Sequence, residues 1–193
     1  GSTLRGVFGH AYRQLSCLTR ARTCDGCQFK QGCTYINLFE PLPPAQHHLQ
    51  DFSSIPAGYI IEPPPAGQRL YNVGDTLRFN MVLIGKHIEQ LAMIILAWQR
   101  AFMRGITKEE ATGILQSVEI DDAEQVAQII YTPQQGQIQA HQKTIAVPDS
   151  LLQAQGVTLH FSTPLRLQQQ GHPLGKEEIN AKTMLMALIR RQS

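Results

Sequence analysis

The first eighteen residues carry a helical pattern of apolar positions. The apolar side chains recur at i, i+3 and i+4 spacing, at Leu4, Val7, Phe8, Ala11, Tyr12, Leu15 and Leu18. That spacing puts them on one face of an α-helix, whereas Arg5 and Arg13 fall off this face. The pattern predicts an amphipathic helix with a buried stripe and basic residues outside it, capped by Ser2 or Thr3.

Prolines interrupt the pattern after this region. Pro41, Pro43 and Pro44 stop any regular element, and the proline-rich residues 41–69 leave room only for a short strand at Tyr59–Ile61. The run Pro63–Gly67 is typical of a semi-rigid linker. We therefore predict two domains, residues 1–66 and residues 67–193.

The next residues switch from a strand pattern to a helical one. Apolar residues alternate over Thr76–Ile84, and Gly85 ends the predicted strand. From His87 to Met103 the period becomes helical, and the predicted inner face is Ile88, Leu91, Ala92, Ile95, Trp98 and Phe102.

Shorter elements are predicted towards the C-terminus. They are a strand at Gly113–Ile120, a glutamine-rich hairpin of residues 123–131 and 136–147, and a core strand at residues 157–161 that resumes at 165–167. A helix is predicted at Ile179–Arg191, and its inward residues are Met184, Leu185, Leu188 and Ile189. The order predicts an α+β fold: a ferredoxin-like (RRM-like) β-α-β-β-α unit after a partial N-terminal ferredoxin-like domain with a cysteine-rich loop. Since the closing strand and a strand before the first helix are missing, we expect a chain truncated at both ends.

Composition narrows the class of protein. The chain is 42% hydrophobic, which supports a sizeable core, and its net charge of +2 permits an anionic partner. The longest apolar run, Leu91–Trp98, is 8 residues and too short to cross a membrane. With no secretory segment before the cysteines, we expect cytoplasmic residence. Cations concentrate before Phe39, where Asp25 is the only acid.

All four cysteines lie within 17 positions, at Cys17, Cys24, Cys27 and Cys33. Four thiolates complete a tetrahedral zinc site or hold an iron–sulfur cluster. Zinc is the first choice because tetrathiolate zinc is common, and an iron–sulfur cluster is the alternative. Two disulfides and plain buried thiols are the competing interpretations.

The start of the chain resembles a known family. Gly1-Ser-Thr-Leu-Arg-Gly-Val-Phe-Gly9 is similar to the G-S-x-L-R-G-x-x-G opening of the repeat-associated RNA-binding (RAMP) superfamily of CRISPR systems, and within it to the cysteine-bearing branch of the pre-crRNA processing endoribonucleases. Three further stretches resemble the family in the same order: Cys33-Thr-Tyr-Ile-Asn-Leu-Phe-Glu-Pro41, Leu77-Arg-Phe-Asn-Met-Val-Leu-Ile-Gly85 and Leu159-His-Phe-Ser-Thr-Pro-Leu-Arg-Leu167.

The resemblance implies two ferredoxin-like domains, binding of CRISPR repeat RNA, other CRISPR effector subunits as partners, and metal-independent cleavage that leaves a 2′,3′-cyclic phosphate. Such cleavage needs a base for the 2′-OH, an acid for the leaving oxygen, and cations for the phosphorane. The alternative is a non-catalytic RNA-binding or scaffold subunit with a structural metal site. A metal-dependent redox protein is a third hypothesis.

Histidine suits the acid and base roles because it titrates near neutral pH. His10, on the basic helix, is the first candidate, and a surface or cap histidine is the competing interpretation. His47 and His48 are the second candidates, and they lie in a proline-flanked loop. The competing interpretation is a solvated loop without a catalytic role. His87 is interpreted as a helix cap and His160 as a structural residue.

Cationic side chains are the candidates for RNA contacts. They are Arg5, Arg13, Lys86 and Arg166, and phosphate contacts of this kind supply affinity without sequence choice. A salt bridge from Arg5 to Asp25 or Glu40 is the competing interpretation. The loop from Gly105 to Gly113 departs from the family's glycine-rich loop, because its two glutamates would repel a phosphate backbone.

Overall fold

The computed structural model describes residues 2–43, 55–64, 70–107, 110–120, 127–141, 144, 156, 158–161, 165–169 and 172–192. Its helices are α1 (Ser2–Ser16), α2 (Thr34–Phe39), α3 (Leu91–Arg104) and α4 (Ala181–Gln192). Its strands are β1 (Tyr59–Glu62), β2 (Asn80–Leu83), β3 (Val118–Ile120), β4 (Gln128–Tyr131), β5 (Gln168–Gln169) and β6 (His172–Pro173). Short 3₁₀ helices occupy Lys30–Gly32, Gly85–Gln90 and Lys176–Glu178.

The strands pair into small antiparallel sheets. Over the described residues there are three two-stranded sheets, β1–β2, β3–β4 and β5–β6. In the first, Tyr59 lies opposite Leu83 and Glu62 opposite Asn80. The predicted α+β class is confirmed. The ferredoxin-like arrangement stays a prediction, because pairs of strands do not define its topology.

Two compact units divide the chain. The first comprises Gly1–Pro64 and Asn72–Thr144, and the second comprises Pro65–Tyr71 and Ile145–Ser193. Within the first unit, α1 packs against α3. The predicted domain boundary between residues 66 and 67 falls outside the described residues and stays a prediction.

An aromatic cluster fills the core of the first unit. The ring of Phe8 in α1 is fully buried and stacks on Trp98 of α3 at 4.8 Å between centroids. It also lies 5.3 Å from the ring of Phe39 in α2 and 5.4 Å from that of Tyr59 in β1. This residue therefore joins three elements to α1. The predicted helix is confirmed over Ser2–Ser16, and its stripe packs on the core from Leu4 to Leu15, whereas Leu18 lies beyond the helix and is 82% exposed.

The predicted helix at His87–Met103 is only partly correct. Its first turn is the 3₁₀ helix Gly85–Gln90, which winds with fewer residues per turn and so shifts the inner face. Consequently Ile88 is 44% exposed, while Ile94 and Ala97 are buried. The preceding strand is shorter than predicted, although its alternating apolar residues pack on the core as expected: Leu77, Phe79, Met81 and Leu83.

The predicted hairpin has the wrong partner strand. β4 pairs with β3, which precedes it, whereas residues 136–141 form no strand. The amide of Gln139 donates to the β4 backbone at the carbonyl of Ile130 (2.8 Å), and residues 142–143 and 145–147 of the predicted hairpin lie outside the described residues. The strand predicted from Gly113 is also wrong at its start, since Ile114 is 84% exposed.

The second unit has little burial among its described residues, none of which is fully buried. The C-terminal helix is confirmed as α4, but Leu185 and Leu188, predicted to face inward, are exposed because the described residues provide no core for them to cover. The predicted core strand is wrong over residues 158–161, where Leu159 and Phe161 are about half exposed. No helix among the described residues has the length and apolarity to span a membrane.

Candidate functional site

The cysteine loop connects α1 to α2. Cys17 follows α1, and its amide donates to the carbonyl of Arg13 (2.8 Å). The Cys24–Cys27 turn closes with an amide of Cys27 that approaches the carbonyl of Cys24 (3.4 Å). Gly26 permits this turn because its φ of +67° lies in the left-handed region. Cys33 ends the loop at the start of α2.

All four predicted ligands line one small cavity. The cavity measures about 20 Å³ and is bounded by the four cysteines together with Arg13 and Lys30, which is room for about one water molecule or ion. The cysteines are free thiols, each partly exposed. Their sulfur atoms do not close around a point, since no group of three or more His, Cys, Asp or Glu in the described part of the chain is placed to hold a metal.

The thiols differ in their electrostatic surroundings. A contact with the Thr19 hydroxyl, 3.6 Å from Cys17 Sγ, lowers the pKa of the Cys17 thiol. Burial raises the pKa of the Cys24 thiol, and the charge of Arg13 acts in the opposite direction. The thiolate form is therefore more accessible at Cys17 than at Cys24.

Arg13 holds the cysteine loop against α2. Its guanidinium donates to the carbonyls of Ala21 (2.6 Å) and Arg22 (3.0 Å), and it lies 5.8 Å from the ring centroid of Tyr35. These contacts use the fork geometry of guanidinium and a cation–π interaction. The predicted RNA ligand is thus engaged in intrachain contacts.

Three other arginines of the N-terminal segment have no carboxylate partner among the described residues. Arg5 lies over the Tyr59 ring, 5.8 Å from its centroid, and among the described residues it forms no ion pair with Asp25 or Glu40. Arg20 and Arg22 are exposed, and within the same residues neither has a carboxylate partner. Their positive charges are therefore available to an anionic partner.

His10 belongs to a polar network at the surface of α1 and α3. Its Nε2 lies 3.0 Å from Gln14 Nε2, and Gln14 Oε1 accepts a hydrogen bond from Arg104. An amide nitrogen can only donate, so the contact uses His10 Nε2 as an acceptor. Arg104 is not among the cations predicted from the sequence to contact RNA. The sequence feature that could have indicated it is its position at the end of the predicted helix, directly before Gly105.

His87 is the second histidine with a distinctive environment. The sequence pattern predicts that it caps a helix. Its side chain is 8% exposed, and its Nδ1 has no hydrogen-bond partner within the part of the chain that the structure describes. The ring packs directly on Gly58, where a Cβ would lie 2.1 Å from His87 Cδ2. Burial first, and then the charge of Lys86, lower the pKa of His87.

An open cleft of about 430 Å³ adjoins this histidine. It is lined by Gln31, Asn37, Pro41, Leu42, Pro43, Lys86 and His87. This volume lies in the range of small-ligand pockets, about 300–1,000 Å³.

A family model matches residues 1–143, which is most of the chain, and its description is AF_1859_N, N-terminal domain. The chain belongs to the AF_1859_N family. No curated protein and no solved structure matches it. The AF_1859_N match spans α1 to β4 and so includes the cysteine loop, the His10 network and the cleft.

The predicted site residues of this AF_1859_N domain are distributed over several places. Arg5 and His10 are exposed on α1, and Lys86 borders the cleft rather than the cysteine cavity. Arg166 is an exposed residue of the second unit, as is His160, whose predicted structural role finds no burial to support it. His47 and His48 lie outside the described residues.

Proposed function

We propose that this AF_1859_N domain binds CRISPR repeat RNA and cleaves it without a metal ion. The observation that carries the proposal is the exposed network of His10, Gln14 and Arg104, because it combines a proton acceptor with a guanidinium at an open surface. The family resemblance of the opening motif and of three later motifs supports the same substrate. A ferredoxin-like arrangement of the whole domain, effector-subunit partners and cytoplasmic residence belong to the proposal.

In the proposed reaction, the Gln14 amide releases His10 Nε2, which then takes the proton of an RNA 2′-OH. The 2′ oxygen then forms a bond to the adjacent phosphorus, and the bond from phosphorus to the 5′ oxygen breaks. The leaving oxygen receives a proton from the imidazolium or from water, and a 2′,3′-cyclic phosphate remains. Arg104 stabilises the negative charge of the phosphorane, the role that guanidinium suits best.

Binding relies on the cations that have no carboxylate partner. Arg5, Arg20 and Arg22 contact phosphates, so affinity falls as the salt concentration rises. The single acid between α1 and α2, Asp25, leaves this surface positive. Arg13 acts indirectly, because it positions the loop that bears Arg20 and Arg22.

The test is incubation of the purified chain with repeat RNA in EDTA. We expect cleavage to persist in EDTA, to vanish in His10→Ala and to fall about a hundredfold in Arg104→Ala, with RNA affinity retained by fluorescence anisotropy. His172→Ala, an exposed histidine of the second unit, is the matched control and should cleave normally. Tight binding without cleavage by the unaltered chain would favour the non-catalytic RNA-binding or scaffold alternative instead.

The four cysteines favour a structural metal as a second part of the proposal. They line a single cavity, and their donor set of thiolates suits tetrahedral zinc first and an iron–sulfur cluster second. As placed, the sulfur atoms form no ligand group, so the loop must close for all four to bind one ion. The metal would stabilise residues 17–40 and take no part in cleavage.

Metal content separates the two metals. A colourless preparation with about one zinc per chain supports zinc, and a visible absorption band supports an iron–sulfur cluster. We expect Cys24→Ser with Cys27→Ser to lose the metal and to make residues 17–40 more sensitive to protease, whereas Gln28→Ala, an exposed position in the same loop, should change neither. A metal-free chain with an unchanged protease pattern would reject the metal site.

A further inference from the structure

The cleft beside His87 is built from three separated segments of the first unit. Gln31 comes from the 3₁₀ helix within the cysteine loop, Asn37 from α2, and Lys86 and His87 from the 3₁₀ helix before α3. Residues 41–43 supply a further part of the wall. None of these residues takes part in the His10 network or the cysteine cavity.

His87 forms a buried part of the cleft wall. Buried polar atoms in proteins nearly always have a hydrogen-bond partner, yet His87 Nδ1 is buried without one. Contact with Gly58 holds the ring in one position. The ring is therefore a fixed part of the cleft wall, and the described residues supply no partner for its Nδ1.

The chemistry of the lining defines the class of ligand. Asn37 and Gln31 carry amides, which both donate and accept hydrogen bonds and therefore match the edges of a nucleobase. The prolines and the leucine of residues 41–43 offer an apolar surface for the face of a base. Lys86 is exposed at the border and suits a phosphate, and no carboxylate is among the lining residues that the structure describes.

We infer that the cleft holds one nucleotide of the bound RNA, with its base against residues 41–43 and the amides of Asn37 and Gln31, and its phosphate on Lys86. The inference rests on the proposed function and adds to it a place where RNA sequence can be read. Burial, and then the charge of Lys86, lower the pKa of His87, which favours the neutral ring beside the neighbouring cation.

Photo-crosslinking and binding together test the inference. The probe is a fluorescein-labelled single-stranded repeat RNA that carries thiouridine, and crosslinked peptides are mapped by mass spectrometry. We expect crosslinks within residues 31–43 or at residues 86–87. Asn37→Ala and Lys86→Ala should each weaken binding about tenfold, and Lys182→Ala, an exposed lysine of α4, should bind normally.

Salt dependence distinguishes the two kinds of contact. Lys86→Ala should reduce the slope of log affinity against log salt by about 1, because one phosphate contact is lost. Asn37→Ala should lower affinity with the slope unchanged, since it removes a contact to the base. Thermal unfolding shows whether each variant is folded, and Gln31→Ala, an exposed position, replaces Asn37→Ala if that variant unfolds.

The outcomes separate the cleft from the function on which it rests. An unaltered chain that binds no RNA would overturn both. RNA binding with crosslinks only elsewhere, and normal affinity in the Asn37, Gln31 and Lys86 variants, would overturn the cleft alone. Crosslinks at the cleft together with weakened binding would support it.

Discussion

The aromatic core of the first unit and the cysteine loop beside it are stabilised in different ways. Phe8 is fully buried, and the rings of Tyr12, Phe39, Tyr59 and Trp98 surround it. In the loop from residue 17 to residue 33, no residue is fully buried. Both regions begin at α1, so the same helix carries a hydrophobic face on one side and a polar loop at its end.

The difference indicates where stability and function are located. Burial of apolar surface drives the packing of α1, α3 and β1, whereas the loop depends on the hydrogen bonds of Arg13 and on its turn at Gly26. Regions with few buried apolar contacts open at low free-energy cost. We therefore expect core substitutions to reduce global stability and loop substitutions to act locally.

The largest effect is expected from Phe8→Ala. Truncating this buried ring should lower the free energy of unfolding by about 3–5 kcal/mol, because it leaves a cavity between α1 and three other elements. Urea denaturation followed by circular dichroism measures the change. Leu18→Ala removes a side chain that is 82% exposed and should stay within about 0.5 kcal/mol of the unaltered chain. Equal losses in the two variants would contradict the comparison.

A smaller effect is expected from Gly58→Ala. The new Cβ would lie 2.1 Å from the His87 ring, so the ring or β1 must move, at a cost of about 1–3 kcal/mol. Gly6→Ala is the matched control in α1, where nothing lies within 4 Å of the new Cβ, and it should stabilise the helix by up to about 1 kcal/mol. Thermal denaturation of both variants compares them, and no loss at Gly58 would reject the close contact with His87.

Arg13→Ala tests the connection between the two regions. The variant loses the hydrogen bonds to the carbonyls of Ala21 and Arg22 and the contact with Tyr35, at a cost of about 1 kcal/mol. Hydrogen exchange should become faster in residues 17–33 and stay unchanged at Trp98. Arg22→Ala, which keeps the accepting carbonyl, should leave exchange in the loop unchanged. Faster exchange throughout α3 would show that the loop and the core are not separate.

The smallest effect concerns pH. Because the pKa of His87 in the folded chain is lowered below its ordinary value of 6.5, the unfolded chain binds more protons once the pH falls below about 6.5. The free energy of unfolding then decreases with falling pH until the folded pKa is reached, and it is unaffected by His87 at higher pH. His87→Gln should flatten this decrease in denaturation curves from about pH 7 to about pH 5, whereas His10→Gln at an exposed position should retain it.

Local periodicity accounts for the elements that were predicted correctly. The stripe of α1 and the apolar face before Gly85 depend only on residues close in sequence, so spacing was sufficient. The strand from Gly113 and the partner of β4 were wrong, because strand pairing depends on which segments meet, and a short apolar run does not specify its partner. The first turn of the predicted helix at His87 was wrong for a related reason, since its 3₁₀ winding places Ile88 outside.

For the candidate sites, the sequence by itself determined the chemical groups: four clustered cysteines, a cationic N-terminal segment and His10 on a helix. Tertiary structure alone decided how they are used. It engaged Arg13 in the loop, brought Arg104 to Gln14 across two helices, and buried His87 under Gly58. The physical reason is that side-chain chemistry is carried by each residue, whereas burial and hydrogen-bond partners come from segments that only packing brings together.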